Sequence, residues 1–312
     1  MEKNNNQAVN DDLYEIDIKH VFSIFYKKKI LILSFTLLSL FFSIIYAYLI
    51  PDLYKSSAIL IPSSSEDSLS SKLSSYSPLA GLAGLGVASD EISKSQEALE
   101  RMKSFEFFSQ HFLPFIKLEN LLAVNDWDYK KNILTYDKSI FDNKLKEWVR
   151  KADYPKGKKP SEQEAYKTYS KIINIYEDNK TSLVSISIEH QSPIIAKRWL
   201  DIIIENINES MREEDRQTAI NSINYLNESS QSTNIQSLKD AIANLQETQM
   251  QTLMLTSSNK NYIFKTIDSP LISEEKFKPK RLLISIFGIF FGFLLGLTIV
   301  VVNHFFSAKT KI

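Results

Sequence analysis

Cysteine is absent from this chain, and glycine and proline are scarce, with seven and nine of the 312 residues. The missing thiols exclude disulfides, thiolate metal sites and cysteine nucleophiles, and they are compatible with either side of a membrane. Lys plus Arg and Asp plus Glu both number 37, so the charge balance does not indicate a nucleic-acid partner. The four histidines lie far apart in the sequence, so no metal or cofactor site is expected.

Sequence patterns of known catalytic sites are also missing. No G-x-S-x-G, H-E-x-x-H or P-loop pattern occurs, and the glycine-rich run at 77–87 lacks the Lys-Ser/Thr ending of a P-loop. Acidic pairs such as Asp126 with Asp128 stand in polar contexts where nothing separates the two pKa values, so they indicate solvated surface. We therefore expect a protein without catalytic residues, which is not an enzyme.

Two long apolar runs stand near the ends of the chain. Residues 30–50 and 282–302 contain no charge, and each is long enough to cross the roughly 30 Å of bilayer hydrocarbon as one helix. The apolar core of the first run is too long for a cleaved signal peptide, so we expect an uncleaved anchor. Residues 51–281 are then one extramembrane domain, with residues 1–29 and 303–312 together on the opposite side.

Positive charges near the span ends give the orientation only weakly. The terminal side carries Lys19, Lys27, Lys28, Lys29, Lys309 and Lys311, and the loop side carries Lys55, Lys276, Lys278, Lys280 and Arg281. The first span usually dominates and long loops translocate largely regardless of charge, so both termini are expected in the cytoplasm. Residues 12–29 predict a short helix on the cytoplasmic membrane surface, with Lys27, Lys28 and Lys29 near lipid headgroups.

Glycine recurs at every fourth position in the second apolar run. Gly288, Gly292 and Gly296 therefore lie on one helix face, and small residues at this spacing allow a second membrane helix to approach closely. Glycine is also common in membrane helices in general, which is the alternative explanation. We favour a packing face.

Strand patterns occur in three places in the extramembrane part. Alternating strand-forming residues predict strands near 54–61, 182–190 and 261–268, and the last is expected beside 182–190 close to the membrane. Helical periodicity predicts further helices over 90–112, 138–151 and 161–176. Ser161 and Glu164 fit a capping box at the start of the last of these.

A long amphipathic helical pattern covers residues 194–256, which contain no glycine or proline. One unbroken helix of that length would run about 95 Å. The residues that lead back to Leu282 span at most about 85 Å when fully extended, so the helix must break. The polar segment 227–234 is the expected break, which predicts a helical hairpin arm. Its apolar stripe needs a partner, partly the hairpin itself and partly a neighbouring copy.

Three segments resemble the Wzz chain-length determinant family. They are EIDIKHVFSIFYKKKILIL…YAYLIPDLYKSSAILIP at 15–62, SLVSISIEHQSPIIAKRWLDIIIENIN at 182–208, and DSPLISEEKFKPKRLLISIFGIFFGFLLG at 268–296. The membrane-proximal positions that match the family pattern are Pro51, Tyr54, Pro270, Pro279, Lys280 and Arg281. Ser273 stands where the family often has a further proline, so the proline-rich motif is thinner than usual.

The resemblance implies an α+β membrane protein in which two transmembrane helices flank a periplasmic domain. That domain would have a small membrane-proximal α/β base and a long helical hairpin arm. It also implies a non-catalytic inner-membrane protein that forms a bell-shaped homo-oligomeric ring. With the O-antigen polymerase and lipid-linked polysaccharide, the ring would set the modal length of O-antigen or a related polymer. Two alternatives remain: a capsule or exopolysaccharide export adaptor, and a membrane partner that activates a tyrosine kinase.

Overall fold

A computed structural model describes residues 25–63, 94–178, 180–258 and 260–309, with side chains as far as Asn303. The chain forms two compact units, Met1–Ile50 with Lys278–Ile312, and Pro51–Phe277. The surface helix expected over 12–29 lies mainly outside the described residues. The glycine-rich run at 77–87 lies wholly outside them.

Seven helices of five or more residues in α-helical geometry and eight strands are described. The helices are α1 (Lys29–Leu49), α2 (Lys94–Lys103), α3 (Leu118–Leu122), α4 (Glu162–Ile172), α5 (Pro193–Ser232), α6 (Gln236–Ser258) and α7 (Arg281–Lys309). The strands are β1 (Tyr54–Pro62), β2 (Val124–Asp128), β3 (Ile133–Tyr136), β4 (Phe141–Asp142), β5 (Glu147–Trp148), β6 (Ile173–Glu177), β7 (Val184–His190) and β8 (Phe264–Asp268).

The first unit is a pair of apolar helices, α1 and α7. Both are long and apolar enough to cross a membrane, α7 over Arg281–Asn303, where the sequence predicts spans at 30–50 and 282–302. Large side chains point outward from the pair, for example Phe42 at 61% and Phe291 at 58% exposure. An exposed apolar surface of this extent is consistent with helices that cross a membrane.

The second unit contains a four-stranded antiparallel sheet in the order β6-β7-β1-β8. β1 and β7 pair from Tyr54 opposite His190 to Leu60 opposite Val184. Alternation along β1 buries Ala58 and Leu60 on the core face, as expected for a half-buried strand.

The position of β8 in this sheet differs from the prediction. The returning strand β8 pairs with β1, with Pro62 opposite Phe264, and not with β7 as expected for 261–268 beside 182–190. The prediction was wrong because β6, which the sequence did not predict as a strand, occupies the second edge of β7.

The helix predicted over 161–176 is shorter than expected. α4 begins with the predicted capping box, in which Glu164 N donates to Ser161 Oγ (3.3 Å) and Ser161 N donates to Glu164 Oε2 (3.1 Å). It ends at Ile172, and Ile173–Glu177 continue directly as β6. Pairing with β7 overrides the helical periodicity of these residues.

The helix predicted over 138–151 is absent, and a short hairpin of β4 and β5 stands there. Asp142 Oδ1 accepts hydrogen bonds from Lys144 N (2.8 Å) and Leu145 N (3.2 Å), which closes a turn. An Asp side chain that bonds to the backbone ahead of it competes with helix formation. The rings of Phe141 and Trp148 then meet across the hairpin at 5.2 Å.

The helix predicted over 90–112 is divided at Ser104. α2 ends at Lys103, and Ser104 Oγ accepts from Phe107 N (3.1 Å) and caps a new helical turn. Phe108–Phe112 then form a π-helical turn. This change of period points Phe107, Phe108 and Phe112 into the core, where each is at most 1% exposed.

The helical arm is a hairpin, but its break lies later than predicted. α5 ends at Ser232 and α6 begins at Gln236, so the turn occupies 233–235 and not 227–234. Gln246 Nε2 of α6 donates to Asn227 Oδ1 of α5 (2.8 Å). Packing against a second helix therefore outweighs the low helix propensity of the polar segment.

The first five turns of α5 belong to the base and not to the arm. Their residues in the hydrophobic core are Ala196, Trp199, Leu200, Ile203, Ile204, Ile207 and Met211. These side chains share one core with β1, β7 and the aromatic residues of α4 and the π-helical turn. The predicted arm 194–256 thus begins as a core helix.

Candidate functional site

The glycine face of the second span is in contact with the first span of the same chain. A Cβ added at any of the three positions would come within 3.0 Å of an α1 atom. The nearest α1 atoms are Ser43 Cβ at 2.4 Å from Gly288, Ser39 Cβ at 2.5 Å from Gly292, and Ile32 Cα at 3.0 Å from Gly296. Only glycine permits so close an approach of two backbones.

Two serines of α1 add hydrogen bonds between the spans. Ser39 Oγ donates to Gly288 O and Ser43 Oγ donates to Ile284 O, both at 2.7 Å. The sequence analysis did not single out these serines. Their spacing of four residues, which places both on one face of α1, is the signal that could have found them.

Arg281 and Lys280, the two cationic residues at the start of α7, differ in their contacts. Arg281 Nε donates to Ala47 O (3.3 Å), and its guanidinium lies 5.0 Å from the ring centre of Tyr48. Arg281 N donates to Pro279 O (2.9 Å). The neighbouring Lys280 is exposed. Arg281 thus links the beginning of α7 to the end of α1 within the first unit.

The cluster of lysines before α1 is exposed. Lys27, Lys28 and Lys29 all lie at the surface, and Lys29 Nζ stands 4.6 Å from the ring centre of Tyr26. Their predicted contact with headgroups stays a prediction.

In the second unit, the start of β1 is tied to the segment before α7. Asp52 forms an ion pair with Lys276, and Phe277 N donates to Leu53 O (2.8 Å). Lys55 Nζ stands 4.9 Å from the ring centre of Phe277. These contacts hold the first residues of the second unit beside its last residues, Lys276 and Phe277.

The remaining predicted motif residues of this unit are not gathered into one pocket. Pro51 is exposed, whereas Pro270 is buried. Ser56 is 1% exposed and its Oγ donates to Leu271 O (2.9 Å), which holds the segment after Pro270 against β1. Tyr54 packs edge-on against Trp127 with the ring centres 5.4 Å apart.

His190 holds the start of α5. The ring is 4% exposed, its Nδ1 accepts from Ser192 N (2.9 Å), and its Nε2 therefore donates to Asn120 O (2.9 Å). Burial lowers the pKa of His190 to about 4, so the ring is neutral at physiological pH. Trp199 covers it edge-on, with the ring centres 4.7 Å apart.

Two polar residues of α5 fasten the returning chain. The buried Asn208 accepts at Oδ1 from Ile263 N and Phe264 N, each at 2.9 Å. Further along α5, Asp215 Oδ2 accepts from Tyr262 (2.6 Å) and from Lys94 Nζ (2.6 Å). These contacts join α5 to the residues that lead into β8. The sequence analysis did not predict them, because they join residues far apart in the chain.

The polar groups of the described residues are paired with one another and do not form a reactive cluster. Within the described ranges, no group of three or more His, Asp or Glu side chains could hold a metal ion. A cleft of about 840 Å³ is lined by Glu97, Arg101, Gln110 and Glu214 among others. Arg101 pairs with both of these glutamates, so the cleft is an ion-paired surface depression.

Comparison with known proteins bears on the N-terminal part of the chain. The model of the family "Wzz: Chain length determinant protein" matches residues 14–105. This match confirms the predicted resemblance to the family over these residues. Wzz proteins are regulators and not catalysts, and on that ground the expectation of a non-enzyme is confirmed as well.

A comparison with solved structures finds polysaccharide co-polymerases at low identity and low TM-score. A "full-length bacterial polysaccharide co-polymerase" aligns over 94% of this chain and 99% of its own, with 12% identity and a TM-score of 0.39. A fragment of WzzB, a polysaccharide co-polymerase from Salmonella Typhimurium, aligns over 73% of this chain and 100% of its own, with 14% identity and a TM-score of 0.28. No curated protein sequence matches the chain.

Proposed function

We propose that the chain is an inner-membrane regulator of polysaccharide length, with O-antigen lipopolysaccharide as the expected polymer. The Wzz segment at 14–105 carries this proposal, because its family consists of chain length determinants. In the proposal both termini are cytoplasmic and residues 51–281 are periplasmic. The chain acts as a co-polymerase with the membrane polymerase and its lipid-linked polysaccharide. The two helices that are apolar enough to span a membrane support this arrangement.

Self-assembly is the second part of the proposal, and the arm supplies a surface for it. α6 carries a stripe at alternating spacings of three and four residues that contains no charge, which we call the arm stripe: Leu238, Ala241, Leu245, Thr248, Thr252 and Leu255. This is the a/d spacing of a coiled coil. Leu238 is 46% and Leu245 54% exposed, so α5 does not cover the outer half of the stripe.

The threonines do not make this stripe polar. Thr248 Oγ1 donates to Asn244 O (3.1 Å) and Thr252 Oγ1 donates to Thr248 O (3.2 Å), both within α6. Their hydroxyl protons are therefore already bonded, and a neighbouring helix would meet mainly methyl groups. We propose that the arm stripe packs on another copy of this chain in a homo-oligomeric ring.

The membrane-adjacent residues have structural roles in this proposal. Gly288, Gly292 and Gly296 keep α1 and α7 in close contact, and Pro51 and Pro279 end and begin the spans. Tyr54 and Pro270 keep the domain ends in place. Lys280 and Arg281 on one side, and Lys27, Lys28 and Lys29 on the other, hold the spans at the two lipid surfaces.

Deletion of the gene tests the function. The expected result is lipopolysaccharide with a random length distribution on a gel, where the parent strain has a clustered mode. Expression of the wild-type chain from a plasmid should restore the mode.

Two outcomes would contradict the proposal. An unchanged ladder would mean that the chain does not set length. Loss of surface polymer with an undisturbed length distribution would favour an export adaptor, and restoration of polymer by a separately activated kinase would favour a kinase partner.

A further inference from the structure

Two hairpin turns in the second unit share one construction. In the turn between β2 and β3, Asp128 Oδ1 accepts from Lys130 N (2.9 Å) and Lys131 N (3.3 Å). In the turn between β4 and β5, Asp142 Oδ1 accepts from the two backbone N–H groups at the same offsets, two and three residues on. Each turn closes with a residue at positive φ, Asn132 in the first and Lys146 in the second.

Each turn presents one large apolar side chain between or beside two lysines. Tyr129 is 70% and Leu145 67% exposed, although both are residues that folding would normally cover. The exposed lysines are Lys130 and Lys131 in the first turn and Lys144 and Lys146 in the second. We call residues 128–132 and 142–146 the hairpin tips.

Positive charge is concentrated in the part of the sequence that contains the hairpin tips. Residues 130–160 contain ten lysines and arginines against four aspartates and glutamates, although the whole chain has equal numbers of each. Arg150 and Lys156 approach Glu164. Within the described part of the chain, the lysines of the hairpin tips form no ion pair with a protein carboxylate. Their charge is therefore available to an anionic surface.

The first hairpin lies at the end of the sheet where β1 begins and β7 ends. Trp127 of β2 packs on Tyr54, the first residue of β1, and Gln191 Nε2 donates to Val124 O (3.4 Å). Tyr54 follows Leu49, the last residue of α1, by five residues. The chain between them reaches at most about 18 Å, so the covalent connection keeps Tyr54 within that distance of Leu49.

We propose that the hairpin tips bind the headgroup layer of an anionic phospholipid membrane. Tyr129 and Leu145 enter the interface, where amphipathic rings and short apolar side chains are favourable, and the four lysines contact lipid phosphates. An anionic polysaccharide offers the same charge, but the short connection from Leu49 to Tyr54, which Trp127 contacts, favours the membrane as the partner of this hairpin.

The absence of cysteine makes a direct test possible on the full-length chain. Single substitutions Tyr129→Cys and Leu145→Cys are labelled with a nitroxide and reconstituted into nanodiscs of phosphatidylcholine alone or with phosphatidylglycerol. Tyr176→Cys and Tyr225→Cys are matched controls, since both tyrosines are 69% exposed but lie on β6 and on the arm. Accessibility to oxygen relative to a neutral nickel chelate reports depth in the lipid.

The expected result is a several-fold higher oxygen-to-nickel ratio at positions 129 and 145 than at both controls in phosphatidylglycerol discs. The double substitution Lys130→Glu with Lys131→Glu should abolish the rise, and Lys239→Glu on the arm should not. Because the Debye length falls to about 3 Å at 1 M salt, high salt should also reduce the rise.

Equal ratios at the tips and controls would overturn the proposal. It would also be overturned if soluble polygalacturonate, and not phosphatidylglycerol, shielded positions 129 and 145 in neutral-lipid discs, since the tips would then recognise polysaccharide.

Discussion

The two long helix pairs of this protein are held together in different ways. In the span pair, Gly288, Gly292 and Gly296 allow atoms of α1 and α7 to approach so closely that no Cβ would fit. In the arm pair, larger side chains fill the contact between α5 and α6, with Ile242 only 5% exposed. The span pair is held by contact between backbones, and the arm pair is held by contact between side chains.

With α1 and α7 in a membrane, as proposed, the surrounding solvent explains the difference. Lipid gives no hydrophobic drive for helix association, so close packing and the hydrogen bonds of Ser39 and Ser43 must supply it. In water, burial of apolar side chains supplies it, and any stripe left uncovered is a further site of association. The span pair is therefore complete within one chain, whereas the arm pair leaves Leu238 and Leu245 exposed.

A leucine at position 292 should break the span pair and leave the arm pair intact. We expect Gly292→Leu to destabilise the contact between α1 and α7 by about 3 kcal/mol, the upper end for overpacking. Two of the three atoms nearest to the added Cβ, Thr36 Cα and Phe35 O, belong to the backbone and cannot rotate away. Thermal unfolding of the full chain in detergent micelles measures the loss.

Phe291→Leu is the matched control, because Phe291 lies on the same helix but is 58% exposed. Membrane insertion should persist in both variants. Equal unfolding temperatures for the two variants and the wild type would show that the glycines are incidental.

Acid should destabilise the domain that carries the arm pair and leave the span pair unchanged, because the buried His190 holds the start of α5. The pKa of His190 is about 4 in the folded chain because of burial, and about 6.5 when unfolded. Above pH 6.5 its contribution to stability is complete. As the pH falls from 6.5 to 4, the unfolded state takes up a proton that the folded state excludes.

The free energy of unfolding of the domain should then fall by up to about 1.4 kcal/mol per pH unit, and by about 3 kcal/mol in total. Urea titrations of the full chain in micelles at several pH values measure this slope. His190→Gln should remove most of it, and His111→Gln, at a half-buried residue, should remove less. An identical slope in His190→Gln and the wild type would contradict the role of this ring.

A charge on the arm stripe should separate chain copies without unfolding the chain. We expect Leu245→Glu to weaken self-association at least about tenfold, or about 1.4 kcal/mol, because the carboxylate would be desolvated at the contact. Met254→Glu is the matched control, since Met254 is 67% exposed on the same helix but outside the stripe. Native mass or light scattering in detergent measures the association. Equal dissociation in both variants would place the contact elsewhere.

Features set by neighbouring residues could be predicted from the sequence. The two spans follow from long charge-free runs, and the capping box follows from Ser161 and Glu164 alone. The hairpin arm follows from chain length, although the position of its turn depends on contacts between α5 and α6. The glycine face follows from the spacing of Gly288, Gly292 and Gly296, but nothing in that spacing identifies α1 as the helix that covers it.

Features set by distant residues were missed. β6 follows α4 without a glycine or proline between them, so the helical period extends over it in the sequence. Once β6 was missed, β8 was assigned to the wrong edge of the sheet. The contact of Tyr54 with Trp127 joins residues more than seventy positions apart, and no local pattern announces it.

The smallest expected effect concerns a single hydrogen bond in the span pair. Ser39→Ala removes the bond from Ser39 Oγ to Gly288 O and should cost about 0.6 kcal/mol, the average for such bonds between membrane helices. Alanine keeps the small volume that the contact with Gly292 requires, so no clash arises. Thr298→Ala is the control, because Thr298 Oγ1 donates only to carbonyls of its own helix. Thermal unfolding of the full chain in detergent micelles compares the stability of the two variants. A loss for Ser39→Ala several times larger than the expected value of about 0.6 kcal/mol would contradict this prediction. Hydrogen bonding, and not close backbone packing, would then be the main interaction that holds the spans together.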